Sequence, residues 1–95
     1  MKNPGIRFTP EASRLISRLH PDTKKMIRLA LDELQKAPYK GSPLQGELSG
    51  FRSMKIKRYR ILYHVNGEKN FIEIVHIGHR RDVYEEFRLL LNKLQ

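Results

Sequence analysis

The spacing of apolar residues changes once along this chain, and that change limits the folds it can adopt. From residue 10 to residue 37 the apolar side chains recur at every third or fourth position, which is the period of amphipathic helices. From residue 51 to residue 77 they follow the shorter repeat of β-strands. The segment between the two parts, PYKGSPLQGELSG (38–50), is rich in proline and glycine and therefore indicates a loop.

Two helices are predicted in the first part of the chain. Thr9 is a favourable N-cap for the first helix, with Pro10 at the first helical position. Asp22 or Thr23 is expected to cap the second helix, and Pro38 ends it. Because the turn between the helices is very short, they should form an antiparallel hairpin. Its buried stripes are predicted at Ala12, Leu15, Ile16, Leu19, Met26, Ile27, Ala30, Leu31 and Leu34.

Strands are predicted on both sides of this hairpin. A short strand covers residues 6–9, and three more follow the loop as FRSMKI, YRILYHV and FIEIVHI, with turns at Lys57–Arg58 and Asn66–Gly67. A final helix should begin near Asp82 and bury Val83, Phe87, Leu90, Leu91 and Leu94. The order β, α, α, β, β, β, α predicts one α+β domain over residues 1–95. In this domain the helical hairpin packs on a mainly antiparallel sheet, in two layers.

The charge balance predicts a polyanionic partner. Lysine and arginine number 19 against 10 acidic residues, for a formal net charge of +9. The absence of cysteine excludes disulfides, thiolate nucleophiles and cysteine zinc sites. The first residues contain no apolar run long enough for a signal peptide or a membrane span. We therefore expect a cytoplasmic protein that makes no membrane contact.

Two groups of residues are candidates for chemistry. The segment from Phe51 to Arg60 carries five cations and no acid, namely Arg52, Lys55, Lys57, Arg58 and Arg60. A second group follows the last strand and consists of His79, Arg80, Arg81 and Tyr84. Because alternate residues of a strand share a face, Lys55 should project opposite to Met54. The pattern predicts a basic surface on the sheet; the simpler interpretation is an exposed sheet face that is merely solvated.

These two groups carry a resemblance that covers nearly the whole chain. LSGFRSMKIKRYRILYHV followed by VHIGHRRDVYEEF resembles the signature of the RelE/ParE toxin superfamily. The resemblance implies a type II toxin that is neutralised by a cognate, acidic antitoxin. For the RelE branch it further implies cleavage of mRNA in the ribosomal A site.

The resemblance also implies which positions carry the activity. The paired basic positions of the strand correspond to Ser53 and Lys55, and the arginine after the hairpin turn corresponds to Arg60. The arginine after the glycine corresponds to Arg80, and the C-terminal tyrosine corresponds to Tyr84. Serine at position 53 departs from the family pattern, which has a cation there. Arg52 or Lys57 could supply the missing cation, and strand parity disfavours Arg52.

Metal-independent RNA cleavage explains why these residue types are needed. Arg60 and Arg80 are expected to stabilise the charge of the phosphorane, because a guanidinium can donate two charged hydrogen bonds to phosphate oxygens. Lys55 and Tyr84 are candidates for base and acid, in either order, and His79 is a possible alternative for either role. RNA contacts are expected from Arg52, Lys57, Arg58 and Arg81. No metal or cofactor is expected.

The sequence is also compatible with two other functions. A ParE-type inhibitor of DNA gyrase would use the same fold without a catalytic cluster, and the absent cation at Ser53 keeps this possible. A noncatalytic RNA-binding module would need only the basic surface. The combination of Lys55, Arg60, Arg80 and Tyr84 favours the ribonuclease.

Overall fold

The computed structural model describes residues 2–93, which form a five-stranded mixed sheet and three α-helices. The strands are β1 (Gly5–Phe8), β2 (Ser42–Pro43), β3 (Arg52–Ile56), β4 (Tyr59–Asn66) and β5 (Phe71–His79). The helices are α1 (Pro10–Ser17), α2 (Pro21–Lys36) and α3 (Val83–Lys93), and a 3₁₀-helix covers Gly46–Leu48. The α+β class and the order of the predicted elements are confirmed. The predicted loop also contains the two-residue strand β2, and Leu94 lies outside the described residues.

The helix starts follow from local hydrogen bonds. Thr9 caps α1 as predicted, its hydroxyl accepting a hydrogen bond from the Ala12 amide at 3.2 Å. The predicted cap of α2 is wrong: the His20 ring caps it, accepting from the Asp22 amide at 3.1 Å. Pro21 occupies the first helical position, where its missing N–H costs nothing, so the helix begins earlier than expected. Between residues 2 and 93, each helix is too short or too polar to cross a membrane.

The sheet has the order β1-β5-β4-β3-β2, with β1 parallel to β5 and every other pair antiparallel. The pairing of β4 with β5 shifts register at one point, because Leu62 faces His76 whereas Tyr63 faces Ile74. Val75 is therefore an extra residue in a β-bulge. The bulge lets two consecutive residues of β5, Val75 and His76, both contact α3.

Helices cover both faces of the sheet, whereas the two-layer expectation placed helices on one face only. Ile61 and Tyr63 of β4 belong to the core beneath α1 and α2. Leu62, between them, packs with Val83 and Phe87 of α3 in a second core. Because consecutive strand residues point to opposite faces, α3 lies on the face opposite to the helical hairpin. The reason is that an apolar Leu62 on the second face needs cover, which α3 supplies as a partial third layer.

Tyr63 attaches the loop after α2 to the sheet. Its buried hydroxyl donates a hydrogen bond to the Pro38 carbonyl at 2.9 Å and accepts one from the Gly41 amide at 2.9 Å. A Cβ at Gly41 would lie 2.6 Å from this hydroxyl, so only glycine fits. Burial raises the pKa of the Tyr63 phenol, which keeps the donating proton in place. The loop therefore has a defined path to β3.

Candidate active site

The candidate site lies on the α3 face of the sheet, at the end where β3 turns into β4. Lys55 of β3 faces Arg60 of β4, which in turn faces Gly78 of β5. Residues paired across neighbouring strands lie on the same face, so the two cations are adjacent. Two residues before Lys55 on β3, Ser53 faces Leu62, which is covered by α3. Lys55 and Arg60 thus lie at the margin of the area that α3 covers.

A backbone hydrogen bond joins the two basic segments. The Arg80 amide donates to the Arg58 carbonyl at 2.7 Å, so the segment after β5 is attached to the β3–β4 turn. Lys57 in this turn has a φ of 49°, the left-handed conformation that allows a two-residue reversal. The side chains of Lys57, Arg58, Arg80 and Arg81 are all exposed. Residues more than twenty positions apart therefore form one basic surface, consisting of Lys55, Lys57, Arg58, Arg60, Arg80 and Arg81.

The guanidinium of Arg60 is held in place by the turn. Its Nη1 donates to the Tyr59 carbonyl at 2.9 Å and to the Lys57 carbonyl at 3.3 Å, and the residue is half-buried. Within residues 2–93, its other nitrogens make no hydrogen bond, so they remain available to an anion. Because the guanidinium is already held by the turn, it can bind a phosphate group in a defined orientation.

The basic surface has no acidic counterpart among the described residues. Every side-chain ion pair between residues 2 and 93 lies elsewhere, and none involves a cation of this surface. Cations that share a surface without paired carboxylates repel one another, which is a cost in the absence of a ligand. An anionic ligand such as RNA would remove that repulsion.

Tyr84 joins the same face from the first turn of α3. Its half-buried ring packs against the second core, and its hydroxyl lies 3.0 Å from the hydroxyl of Ser53. Ser53 is only 8% exposed. Because Lys55 follows Ser53 by two positions on the same strand face, the two residues are about 7 Å apart along β3. The phenol of Tyr84 therefore ends beside the basic surface.

Arg52 does not belong to the basic surface. It faces Tyr63, so it lies on the side of the helical hairpin. Its Nη1 donates to the carbonyls of Tyr39 at 3.1 Å and Gly41 at 2.8 Å, and its guanidinium carbon lies 5.0 Å from the centre of the Tyr39 ring. Arg52 thus contacts the loop on the hairpin side of the sheet, apart from Lys55 and Arg60, and its RNA contact stays a prediction.

His79 is also separated from Lys55 and Arg60. It follows Gly78 on β5 and faces Tyr59, which places it on the hairpin side of the sheet. Its ring centre lies 6.3 Å from that of Tyr59, and its Nδ1 accepts from the Arg81 amide at 3.3 Å. The ring therefore contacts the backbone at the start of the loop, on the sheet face opposite to Lys55 and Arg60. Within the described part of the chain, no three His, Asp or Glu side chains are close enough together to hold a metal.

The sequence analysis missed two features of the site. The contact between Ser53 and Tyr84 joins residues 31 positions apart, and no pattern in the sequence indicated it. The close approach of α3 to β5 did leave a signal, because Gly78 interrupts an apolar strand. A Cβ at Gly78 would lie 2.7 Å from Oε1 of Glu86 and 3.3 Å from Cβ of Val83. Glycine at this position allows α3 to approach the sheet.

Comparison with known proteins shows the family of this chain. The sequence model of a family described as "ParE toxin of type II toxin-antitoxin system, parDE" matches residues 6–84. The Toxin RelG of Mycobacterium tuberculosis strain H37Rv is 33% identical over 81 residues, which cover 83% of this chain and 93% of that protein. The chain belongs to the RelE/ParE toxin superfamily. It is the toxin of a type II toxin–antitoxin system.

Solved structures share the fold of this toxin. The toxin–antitoxin complex RelBE2 of Mycobacterium tuberculosis contains a chain that matches with a TM-score of 0.75 and 31% identity, covering 82% of this toxin and 99% of that chain. The isolated RelE toxin of E. coli matches with a TM-score of 0.72 and 22% identity, over 93% of this toxin and 98% of that chain. Because the sequence identity with the E. coli toxin is only 22%, that match shows a shared fold and nothing more.

Proposed function

We propose that this toxin is a ribosome-dependent endoribonuclease that cleaves mRNA in the A site without a metal ion. The observation that carries the proposal is the convergence of Lys55, Arg60 and Arg80 at one end of the sheet, beside the phenol of Tyr84. Within residues 2–93 these cations have no carboxylate partner, which suits a surface that binds a phosphate backbone.

The proposed reaction is attack of a ribose 2′-hydroxyl on the adjacent phosphorus, with departure of the 5′-oxygen of the next nucleotide. It leaves a 2′,3′-cyclic phosphate and a 5′-hydroxyl. Arg60, held by the turn, and Arg80 stabilise the additional negative charge of the phosphorane. Lys55 and Tyr84 accept the 2′-proton and supply the proton to the leaving oxygen, in either order. Lys57, Arg58 and Arg81 contact the flanking phosphates.

The open form of the site supports a role for the ribosome. Lys55 and Arg80 are exposed on a sheet surface and do not line a closed cavity. Such a surface attracts RNA but does not by itself align the 2′-oxygen, the phosphorus and the leaving oxygen. Holding reacting groups in line can contribute a large part of a rate enhancement, and a message fixed in the A site would supply this alignment.

The proposal includes a cognate antitoxin as partner and the cytoplasm as the place of action. The matching chain from Mycobacterium tuberculosis was solved in a toxin–antitoxin complex. With a formal net charge of +9, this toxin would attract an acidic antitoxin segment to its basic surface. Such a segment would also screen the cations from RNA.

Inhibition of DNA gyrase is the second candidate function. The matching family is described by its ParE toxins, and Ser53 stands where the RelE pattern has a cation. Mapping of mRNA cuts on translating ribosomes, run beside a gyrase supercoiling assay, separates the functions. We expect cuts within the A-site codon and unchanged supercoiling. A toxin that blocks supercoiling and leaves mRNA intact would replace our proposal, and RNA retention without either effect would indicate a noncatalytic binding module.

The exposed cations of the β3–β4 turn give a second test. Replacing Lys57 and Arg58 together by alanine should weaken binding of single-stranded RNA and reduce the slope of log affinity against log salt by about 1.4, since each phosphate contact contributes about 0.7. The backbone contact from Arg80 to the Arg58 carbonyl is retained in this variant. Fluorescence anisotropy of a labelled RNA over a salt series measures both quantities.

A matched control uses the helical hairpin. Lys25 and Arg28 are exposed on α2, across the sheet from the basic surface, and provide the same two residue types. Their replacement by alanine removes the same net charge but should leave the salt slope nearly unchanged. Equal effects of the two double variants would mean that RNA responds to net charge alone.

A further inference from the structure

Ser53 is the polar side chain that meets the hydroxyl of Tyr84. It lies on β3 with neighbours on both sides, facing Ser42 of β2 and Leu62 of β4. Its hydroxyl is 3.0 Å from that of Tyr84, and the residue is 8% exposed. From this geometry we infer that Ser53 is a positioning residue, which holds the phenol of Tyr84 beside Lys55 for the reaction. This inference rests on the proposed function.

The two partners differ in how firmly they are held. The backbone of Ser53 is paired with strands on both sides, and its short side chain has a single rotatable bond, so its oxygen is limited to three staggered positions. Tyr84 carries its hydroxyl at the far end of a half-buried ring, on the first turn of a helix. Among the described residues, Ser53 makes the only side-chain hydrogen bond to this phenol. The serine therefore limits where the hydroxyl can lie.

Ser53 acts through Tyr84 and not on RNA. Its burial leaves little surface for a nucleotide, whereas Lys55, two positions further on the same face, is exposed. The hydrogen bond to Ser53 keeps the phenol about 7 Å along the strand from the backbone of Lys55, within reach of its long side chain. Loss of the hydrogen bond would release the phenol to other orientations, which lowers the fraction of molecules ready to react.

A double-mutant cycle on cleavage tests this role. The variants are Ser53→Ala, Tyr84→Phe and the two combined. Ser53→Thr restores the hydroxyl, and Ser13→Ala, at an exposed position of α1, is the control. With saturating ribosomes, Ser53→Ala should slow single-turnover cleavage about tenfold, equivalent to about 1.4 kcal/mol. The half-saturating ribosome concentration should change little. Ser53→Thr should recover most of the rate, and Ser13→Ala should match the wild type.

The decisive comparison is made in the Tyr84→Phe background. If Ser53 acts through the phenol, adding Ser53→Ala there should slow cleavage no further. If the rate loss of the double variant equals the product of the two single losses, the inference is overturned, because Ser53 would then act independently of the Tyr84 hydroxyl. An unchanged rate in Ser53→Ala would overturn it as well.

The wild type, the two single variants Ser53→Ala and Tyr84→Phe, and the double variant are also unfolded in urea, a measurement that does not depend on cleavage. We expect the stability losses of the single variants to be non-additive, since both remove the same hydrogen bond. Additive losses would overturn the contact itself. If the stability losses are coupled but the wild-type protein cuts no ribosome-bound mRNA, the contact stands and the proposed function is overturned. The positioning role of Ser53 in cleavage is then overturned with it.

Discussion

Replacing Arg80 by alanine is expected to slow ribosome-dependent mRNA cleavage about a hundredfold while leaving the fold intact. Arg80 is exposed, and its contact to the turn is made by its backbone amide, which alanine retains. The loss of one charged donor to the transition-state phosphate costs about 3 kcal/mol, which corresponds to that decrease in rate. The rate is measured as single-turnover cleavage of mRNA on programmed ribosomes.

Arg28→Ala is the matched control for this variant. Arg28 is an exposed arginine of α2 on the opposite side of the sheet, so the same substitution there should leave the rate within about twofold. Circular dichroism of both variants should overlay that of the wild type. Cleavage by Arg80→Ala at the wild-type rate would mean that the active site lies elsewhere on the toxin.

Replacing Phe87 by alanine is expected to lower the free energy of unfolding by about 3–5 kcal/mol, the usual cost of removing a buried aromatic ring. Phe87 is 2% exposed, meets Phe51 edge-on with ring centres 4.9 Å apart, and stacks on His76 at 6.1 Å. With Val83, it is one of the two buried residues of α3. Urea unfolding measures the loss.

Leu89 is the control on the same helix, because it is 53% exposed and its replacement by alanine should cost far less, about 1 kcal/mol or below. Phe87→Ala should also impair cleavage, since α3 carries Tyr84 and its docking brings that phenol to Ser53. Equal destabilisation by the two substitutions would contradict the assignment of Phe87 to a second core.

Much of the fold could be predicted from the order of residues because the responsible forces are local. Thr9 followed by Pro10 marks a helix start through one cap and a preset φ. The two-residue turn at Lys57–Arg58 lies between segments of strand-like composition, and the structure has it there. For the site, strand alternation put Lys55 and Arg60 on one face, and their cross-strand pairing agrees.

Strand parity also separates two residues of the basic groups from the candidate site. Arg52 and His79 lie in the two basic groups of the sequence, yet both are on the hairpin side of the sheet, next to Tyr39 and Tyr59. A one-residue step along a strand reverses the face, so membership of a basic run does not decide which side a charge occupies.

The sequence alone thus determined the types and order of the elements, the family resemblance and the basic character of the surface, since these follow from neighbours within a few residues. Only the tertiary structure decided that α3 covers the face opposite to the hairpin and that Tyr84 meets Ser53. Those outcomes follow from the burial of Leu62 and from the bulge at Val75, where the pairing of β4 with β5 shifts register. Cross-strand register and helix docking are set by the packing of the whole core, so local spacing does not contain them.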